Sequence, residues 1–587
     1  MIRRLRRSRA LLRQGASESA HGVDRSYEGL AFAQPQSENP DHNWAPPEHV
    51  RTTIDATIRP QGHGPYRRLG WAPGEAHVVR NDLGLQLAPE QVRRDNRRSL
   101  LYFAHHTDIH ICDAQSPARL VGAQGLSWLH PGLDASHRPQ ETMSTHTFDQ
   151  LISATNRLAQ SVLSGANMAF CLQGGDHTDS GTISELQWWS QVLNGGPVSP
   201  NTGKAGSYEG VQRSKNKHVW QPDSGTTDAP SRRGFPRLPG VLDSAVGPFV
   251  AEGLNVRWLS VYGNHDRIFS GMFGKSNALH LDRLADMLSS GSTAPVTTGS
   301  ILRAAARAPL PARFRRGRSR IAPGFGSVEI TADPAMRRTA TAKDFATVIN
   351  PDREHDAVTW WSESFGERVQ VIGLDTSNRA DGEGGRIGPA QTHWLEEELR
   401  KCHSSWIGAD GHLVVGEQND RIVVVVSHHN SSSMDNHCDD SSDPGEVTDG
   451  AQLIDLLHRY PNVVIWLNGH SHEHRILPHK SANGGFWEVS SASVTSFPQQ
   501  GRLFEIFDNQ DGTVSIFTTV FDHAGPPSTP YCDSKDWTPS ALASLSRELA
   551  ANDDQWHDSM TGLGRRIDRN VELIARSNLG VGELRSA

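Results

Sequence analysis

Long hydrophobic runs are absent. The longest, Ile422–Val426 and residues 463–467, hold five residues each, where a membrane-spanning helix needs ~18, so a membrane span is excluded. Thiols are few: the five cysteines, at 112, 171, 402, 438 and 532, form no CxxC pair. An odd count at wide spacing argues against a disulfide framework and against a cysteine-based zinc site, and leaves reduced, mostly structural thiols. Any metal site in this chain must therefore draw on His, Asp, Asn and water. Lysine is scarce, 8 residues against 50 Arg, a skew that carries no functional reading. A strong charge of either sign is missing as well. With 58 basic and 66 acidic residues the net charge is -8, which favours solubility and argues against a dominant nucleic-acid surface.

The chain does hold enough apolar residues for a sizeable core: 36% hydrophobic, with 54 Gly besides, which excludes a wholly disordered protein. Its 587 residues would allow about four domains of ~150 residues. The first 13 residues carry six Arg, but only Ala10, Leu11 and Leu12 follow, where an export signal needs an apolar stretch of roughly 7–15. Residues 1–50 thus read as a disordered basic and polar arm, and the missing signal points to the cytoplasm.

Short apolar strands alternate with helical stretches along the rest of the chain. Strands are predicted at 99–104, 168–172, 256–261, 369–374, 422–426 and 463–467, and helices at 145–164, 389–401, 451–459 and 538–552. Runs such as Ile-Val-Val-Val-Val suit strands buried on both faces by helices. In open α/β sheets, ligands sit beyond the carboxyl ends of the strands. Five strand ends here carry chemistry: Asp108-Ile109-His110, Gly175-Asp176-His177-Thr178-Asp179, Gly263-Asn264-His265-Asp266, Ser427-His428-His429 and Gly469-His470-Ser471-His472. Singly, each admits a bland reading, a turn or a satisfied core histidine. Together, in this order, they offer carboxylate, amide and imidazole donors that suit two divalent or trivalent ions of intermediate softness, such as Mn, Fe or Zn.

The series D-x-H, G-D-x-x-D, G-N-H-D, H and G-H-x-H, between residues 108 and 472, resembles the calcineurin-like metallophosphoesterase superfamily. The resemblance implies an α/β four-layer fold, two facing mixed β-sheets flanked by helices, here with long insertions. It implies Asp108, His110 and His472 as ligands of one metal, Asn264, His428 and His470 as ligands of a second, and Asp176 bridging them. His265 resembles the family's non-ligand catalytic histidine and Asp179 its carboxylate partner. Two metals about 3.5–4 Å apart can bridge a water, lower its pKa and hold phosphoryl oxygens for in-line attack, while His265 protonates the leaving oxygen. The implied activity is hydrolysis of a small-molecule phosphoester, a diester in preference to a monoester. A non-catalytic metal-binding scaffold and a nuclease are the alternatives; the first would be expected to lose His265 and Asp179, and the acidic net charge disfavours the second.

Where purple acid phosphatases carry a Tyr this chain has Asp179, which argues against an iron–tyrosinate centre. The intervals from Asp176 to Asn264 and from Asn264 to His428 are long for the superfamily and resemble a long-insert subgroup often found behind a twin-arginine signal, which pulls towards export. One catalytic domain is thus expected over 51–535, with insertions near 180–255 and 267–365, followed by a helical segment at 536–587 packed on the outside. The Arg-rich stretch 303–320 reads as a solvated loop. Gly384 to Gly388 with Gln391, and Gly485 to Glu488, read as scaffold.

Overall fold

The computed structural model describes residues 46–579 except 127–135, 215, 225–227, 273, 275–283, 285–287, 290, 306–325, 350–358, 381, 439, 441–442, 483, 532–535 and 554–559. Thirteen strands build two sheets: β1 (Val78–Arg80), β2 (Arg98–His106), β3 (Phe170–Gln173), β4 (Trp258–Ser260), β5 (Trp361–Phe365), β6 (Val369–Gly373), β7 (Ile422–Val426), β8 (Val463–Asn468), β9 (Arg475–Ser481), β10 (Gly484–Ser490), β11 (Gln500–Asp508), β12 (Thr513–Asp522) and β13 (Val571–Arg576). One sheet has seven strands in the order β1-β13-β12-β11-β2-β3-β4, the other six in the order β5-β6-β7-β8-β10-β9. In the first, β2, β3 and β4 run parallel, with Phe103 opposite Phe170, and β11 meets β2 antiparallel. In the second, β6, β7, β8 and β10 run parallel.

The period of two along each strand sets the layers. In β7, Val424 and Val426 face inward and pack with Phe103, Phe170, Leu467 and Trp487 in the core between the sheets. Val423 and Val425 face the other way, against Leu395 and Leu399 of α3 (Pro389–Arg400) and Leu453 and Leu457 of α4 (Gly450–His458). On the far side of the seven-stranded sheet, Tyr102, Ala104 and Cys171 pack under Phe148, Leu151 and Ile152 of α1 (Ser144–Arg157) and Leu186, Trp189 and Val192 of α2 (Ile183–Asn194). Helix, sheet, sheet and helix thus stack as four layers around three cores, as the resemblance implied. All five residues of β7 are fully buried, each side chain worth roughly 1.5–3 kcal/mol of burial. The first helix is shorter than its apolar spacing predicts. It stops at Arg157, and the chain turns back where Gly165 takes φ 78° and its N–H bonds the carbonyl of Ser161.

The segment 536–587 departs from the helical reading. It opens with α5 (Pro539–Ala550), capped by the Thr538 hydroxyl on the Ala541 N–H, but ends in β13, which lies between β1 and β12 inside the seven-stranded sheet. The run Val571-Glu572-Leu573-Ile574-Ala575 alternates too little to announce a strand, because both its faces are buried. Nor is α5 an outer appendage: Leu542, Leu545 and Leu549 are buried with Trp220, Phe235 and Leu242 of the 180–255 insertion. Of the N-terminal arm only residues 46–50 are described; residues 1–45, positions 306–320 of the Arg-rich stretch, Cys532 and residues 580–587 lie outside the described residues. Cys112, Cys171 and Cys402 are buried and free, and Cys438 is exposed and free. Among the described residues no helix is long and apolar enough to cross a membrane.

Candidate metal centre

Five strand ends, three from one sheet and two from the other, meet at a common edge. Backbone bonds tie the tips together: the Asp108 N–H donates to the Gly175 carbonyl, His110 to Asp176, and Gly469 to His428. Asp108, His110, Asp176, His470 and His472 all take positive φ, between 48° and 64°. Non-glycine residues rarely do so, and such strain collects where the surrounding structure holds a functional geometry in place. Two glycines make room. A Cβ at Gly263 would collide with Asp176 Oδ1, and one at Gly469 with Thr107 Oγ1 and Asp108 Oδ2.

Asp108, His110 and His472 turn their donor atoms toward one point. His472 Nε2 lies 3.2 Å from Asp108 Oδ1 and 3.2 Å from His110 Nε2. The far nitrogens are anchored: His110 Nδ1 stands 3.2 Å from Asp179 Oδ1, and His472 Nδ1 bonds Ser496 Oγ at 3.0 Å. Outer contacts of this kind fix the tautomer that leaves Nε2 for a metal.

Asn264, His428 and His470 converge beside them. The Asn264 amide donates Nδ2 to the Gly271 carbonyl, which turns Oδ1 toward His470 Nδ1 at 3.2 Å. His428 Nδ1 donates to the Gly174 carbonyl at 2.9 Å. Its Nε2 approaches Asp176 Oδ2 at 3.3 Å and has no aligned hydrogen-bond partner among the described residues. Asp176 Oδ2 is also 3.5 Å from His110 Nε2, so this carboxylate touches both donor sets. His429 does not join them. Its Nδ1 meets Thr376 Oγ1 and its Nε2 the Glu383 carbonyl, so it packs.

The charges balance poorly without a cation. Burial holds His110 down to about 3, helped by His265, and His470 to about 4, helped by His428. Both are neutral imidazoles, the form that ligates. Burial opposes charge on His428 too, but Asp176 and Asp108 outweigh it and lift that imidazole to about 10. Asp176 is the counterpart: despite burial, His428 and His265 hold its carboxyl well below the usual range. A proton on His428 occupies the place where a divalent ion would offset two buried carboxylates. The donor set therefore fits two such ions, of a kind that accepts nitrogen and oxygen ligands.

Asp179 departs from its expected role. His265 Nδ1 donates to the Asp179 backbone carbonyl at 2.6 Å, which leaves Nε2 toward the cavity. The Asp179 carboxylate turns away to His110 Nδ1 and to two arginines, Arg119 and Arg138, each at 2.8 Å. Two buried guanidinium groups attract it more strongly than one imidazole, so its partner is not the His265 ring. Arg119 closes a single 3-10 turn, Pro117–Arg119, Arg138 lies just before another, Glu141–Met143, and no apolar period in the sequence marks either. Asp266 also escapes a sequence reading: its carboxylate takes the backbone N–H groups of His177, Thr178 and Gly263 and locks the second tip to the third. Among the scaffold residues, Gln391 bonds both backbone polar groups of Asp375, and Glu488 holds Ser431, Asn468 and His479. His474 is buried against Gln500 and Arg502.

A cavity of about 270 Å³ opens on the donor cluster, lined by His110, Asp176, Asn264, His265, His470 and His472 on one part and by Arg119, Leu120, Ser136 and Arg138 on another. A larger one, about 690 Å³, is lined by Val121, Gly122, His137 and the insertion residues Trp220 and Phe235. It reaches none of the convergent donors, so the chemistry belongs to the smaller.

No family model matches the chain. A protein of Synechococcus sp. (strain WH7803) named as a probable cyclic nucleotide phosphodiesterase is 35% identical over 99 residues, 17% of this chain. The match spans about a third of that relative's length, 31%. Among solved structures, the chain is similar to a dimetal phosphatase from Danio rerio (TM-score 0.28, 10% identity, 73% of this chain and all of that one). PhoD follows with a TM-score of 0.27, 9% identity and coverage of 82% and 80%. Purple acid phosphatase from yellow lupin gives 0.26, 10%, 81% and 66%. Scores this low carry no weight for the fold, which stands on the chain's own strand order.

Proposed function

We propose that this chain is a metal-dependent phosphoester hydrolase of the calcineurin-like metallophosphoesterase superfamily. One observation carries the reading: strand ends from two facing sheets deliver two donor sets that share Asp176. Asp108, His110 and His472 would hold one ion and Asn264, His428 and His470 a second, with the Asp176 carboxylate within reach of donors from both sets. Divalent ions bound there supply Lewis acidity toward phosphoryl oxygens and activate the attacking water. The chain's own residues do the rest. Asp179 and Ser496 orient His110 and His472. His265, whose Nδ1–H is committed to the Asp179 carbonyl, presents Nε2 to the cavity and hands a proton to the leaving-group oxygen. A metal-binding scaffold without catalysis has no use for a histidine held in that attitude. A small phosphodiester is preferred as substrate, in line with the family resemblance and the local likeness to a phosphodiesterase-named protein.

Metal analysis paired with turnover tests the proposal. Wild type and His265→Ala, assayed on bis-p-nitrophenyl phosphate and p-nitrophenyl phosphate with Mn, should both carry about two ions per chain, with turnover lost in the variant alone. Absence of bound metal after reconstitution would falsify the dinuclear assignment, and two ions without turnover on either ester would favour the scaffold.

A further inference from the structure

The cavity that holds the donor cluster also carries groups suited to an anion. Arg119 and Arg138 are both buried, and one carboxylate pairs with both: Asp179 Oδ1 accepts from Arg138 Nη1 at 2.8 Å, and Asp179 Oδ2 lies 2.8 Å from Arg119 Nη1 as an ion pair. Glu141 Oε2 accepts from Arg119 Nη2 and from the Arg138 backbone N–H, each at 2.9 Å. This network fixes both guanidinium planes before any ligand arrives. Of the Arg138 side chain, only Nη1 is bonded among the described residues, which leaves Nη2 and Nε without a partner among them in a residue that lines the cavity. Ser136 lines the same cavity, is nine-tenths buried, and its Oγ has no hydrogen-bond partner among the described residues. A buried hydroxyl without a protein partner is free to bond a ligand that enters the cavity.

Resting on the phosphoesterase reading above, we infer that Arg138 and Ser136, which line the same cavity as the metal donors, form an anion clamp for the non-bridging oxygens of the substrate's phosphoryl group. Arg138 supplies charge-assisted donors in the fork that matches a phosphate edge, and Ser136 adds one hydroxyl. A purely structural arginine would need no open guanidinium edge and no orphan hydroxyl beside it. Two carboxylates already balance the two arginines, so the clamp acts through hydrogen-bond geometry and not through surplus charge.

Binding of orthophosphate to the full-length, Mn-loaded protein, measured calorimetrically, tests this without turnover. Arg138→Gln should weaken phosphate by about 10- to 100-fold, as expected for lost hydrogen bonds to a charged group. Arg138→Lys should recover part of that, and Ser136→Ala should cost about 3- to 10-fold, with metal content unchanged throughout. Phosphate affinity within about twofold of wild type in fully metallated Arg138→Gln would overturn the clamp. If that variant does not fold, unchanged affinity in both Arg138→Lys and Ser136→Ala overturns it equally. Ester hydrolysis by wild type separates the two readings. Arg138-dependent phosphate binding without hydrolysis upholds the clamp and sinks the hydrolase, whereas hydrolysis with Arg138-independent phosphate binding does the reverse.

Discussion

The Asp176 carboxylate stands 3.3 Å from His428 Nε2 while reaching 3.5 Å to His110 Nε2, so one side chain of the seven-stranded sheet joins donors from both sheets. Asp176→Asn keeps the shape and removes the shared charge. Bound metal should fall below two ions per chain, and turnover should drop by more than the ~10–100-fold that follows loss of an outer partner of a metal ligand. Metal content and turnover of the same preparation check this; an unchanged two-ion content sinks the shared role.

His265 binds no metal in the proposed scheme, so His265→Ala should keep both ions and lose about 10²–10⁴ in turnover. The loss should be larger still for alkyl esters than for p-nitrophenyl esters, whose leaving group needs less protonation. Equal losses on both ester types would exclude a proton-donor role.

Chelation should abolish hydrolysis and also lower the melting temperature, because metal-free protein keeps two close, buried carboxylates, Asp108 and Asp176, offset by the neighbouring imidazoles of His428, His472 and His265 in place of metal charge. Adding Mn should restore both. A melting temperature indifferent to chelator would mean that the donor cluster holds no ion in the native protein.

Glu141 gives a pH prediction away from the metal donors. Burial opposes its charge, but Arg119 and His137 hold its carboxyl down at about 2, against 4.5 for an ordinary Glu. A depressed folded value adds stability that is complete above about 4.5 and fades as pH falls toward about 2. Glu141→Gln should therefore be less stable than wild type at pH 7, by on the order of 3 kcal/mol, and the melting curves of the two proteins should converge as pH is lowered through 4.5 to 2. A constant gap across that range would contradict the assignment.

Gly263→Ala places a methyl group against Asp176 Oδ1 and the Asp176 backbone nitrogen. Either the tip after β4 or the Asp176 side chain must shift, so metal affinity should fall by at least about tenfold. A competition titration with a chromogenic chelator measures it; wild-type affinity would show that the close approach is dispensable.

Much of this was legible before any coordinates. Ile422–Val426 reads as a strand to the residue, because a run of β-branched side chains buried on both faces looks alike from either side. The donors are legible because polar residues abut those runs abruptly. What escaped depends on contacts distant in sequence. Arg119 and Arg138 are recruited by Asp179 from a turn-rich segment, and no local pattern announces a salt bridge across 41 or 60 positions. Asp179 itself was legible as a site residue but not in its orientation, since neighbours elsewhere in the chain decide which way a carboxylate faces. The strand Val571–Arg576 was hidden for a similar reason: its partners are Val78–Arg80 and Thr513–Asp522.

That last strand bears on how the protein is made. The strand that leads into Asp108 finds its antiparallel neighbour only in residues 500–508, and the sheet around it is completed by residues 571–576. A nascent chain emerging from the ribosome therefore presents its first two donor-bearing tips long before the framework that strains them into position has been translated. Contacts this remote in sequence form slowly. Maturation of the centre, and any loading of ions into it, belongs to the end of synthesis, when the late strands arrive.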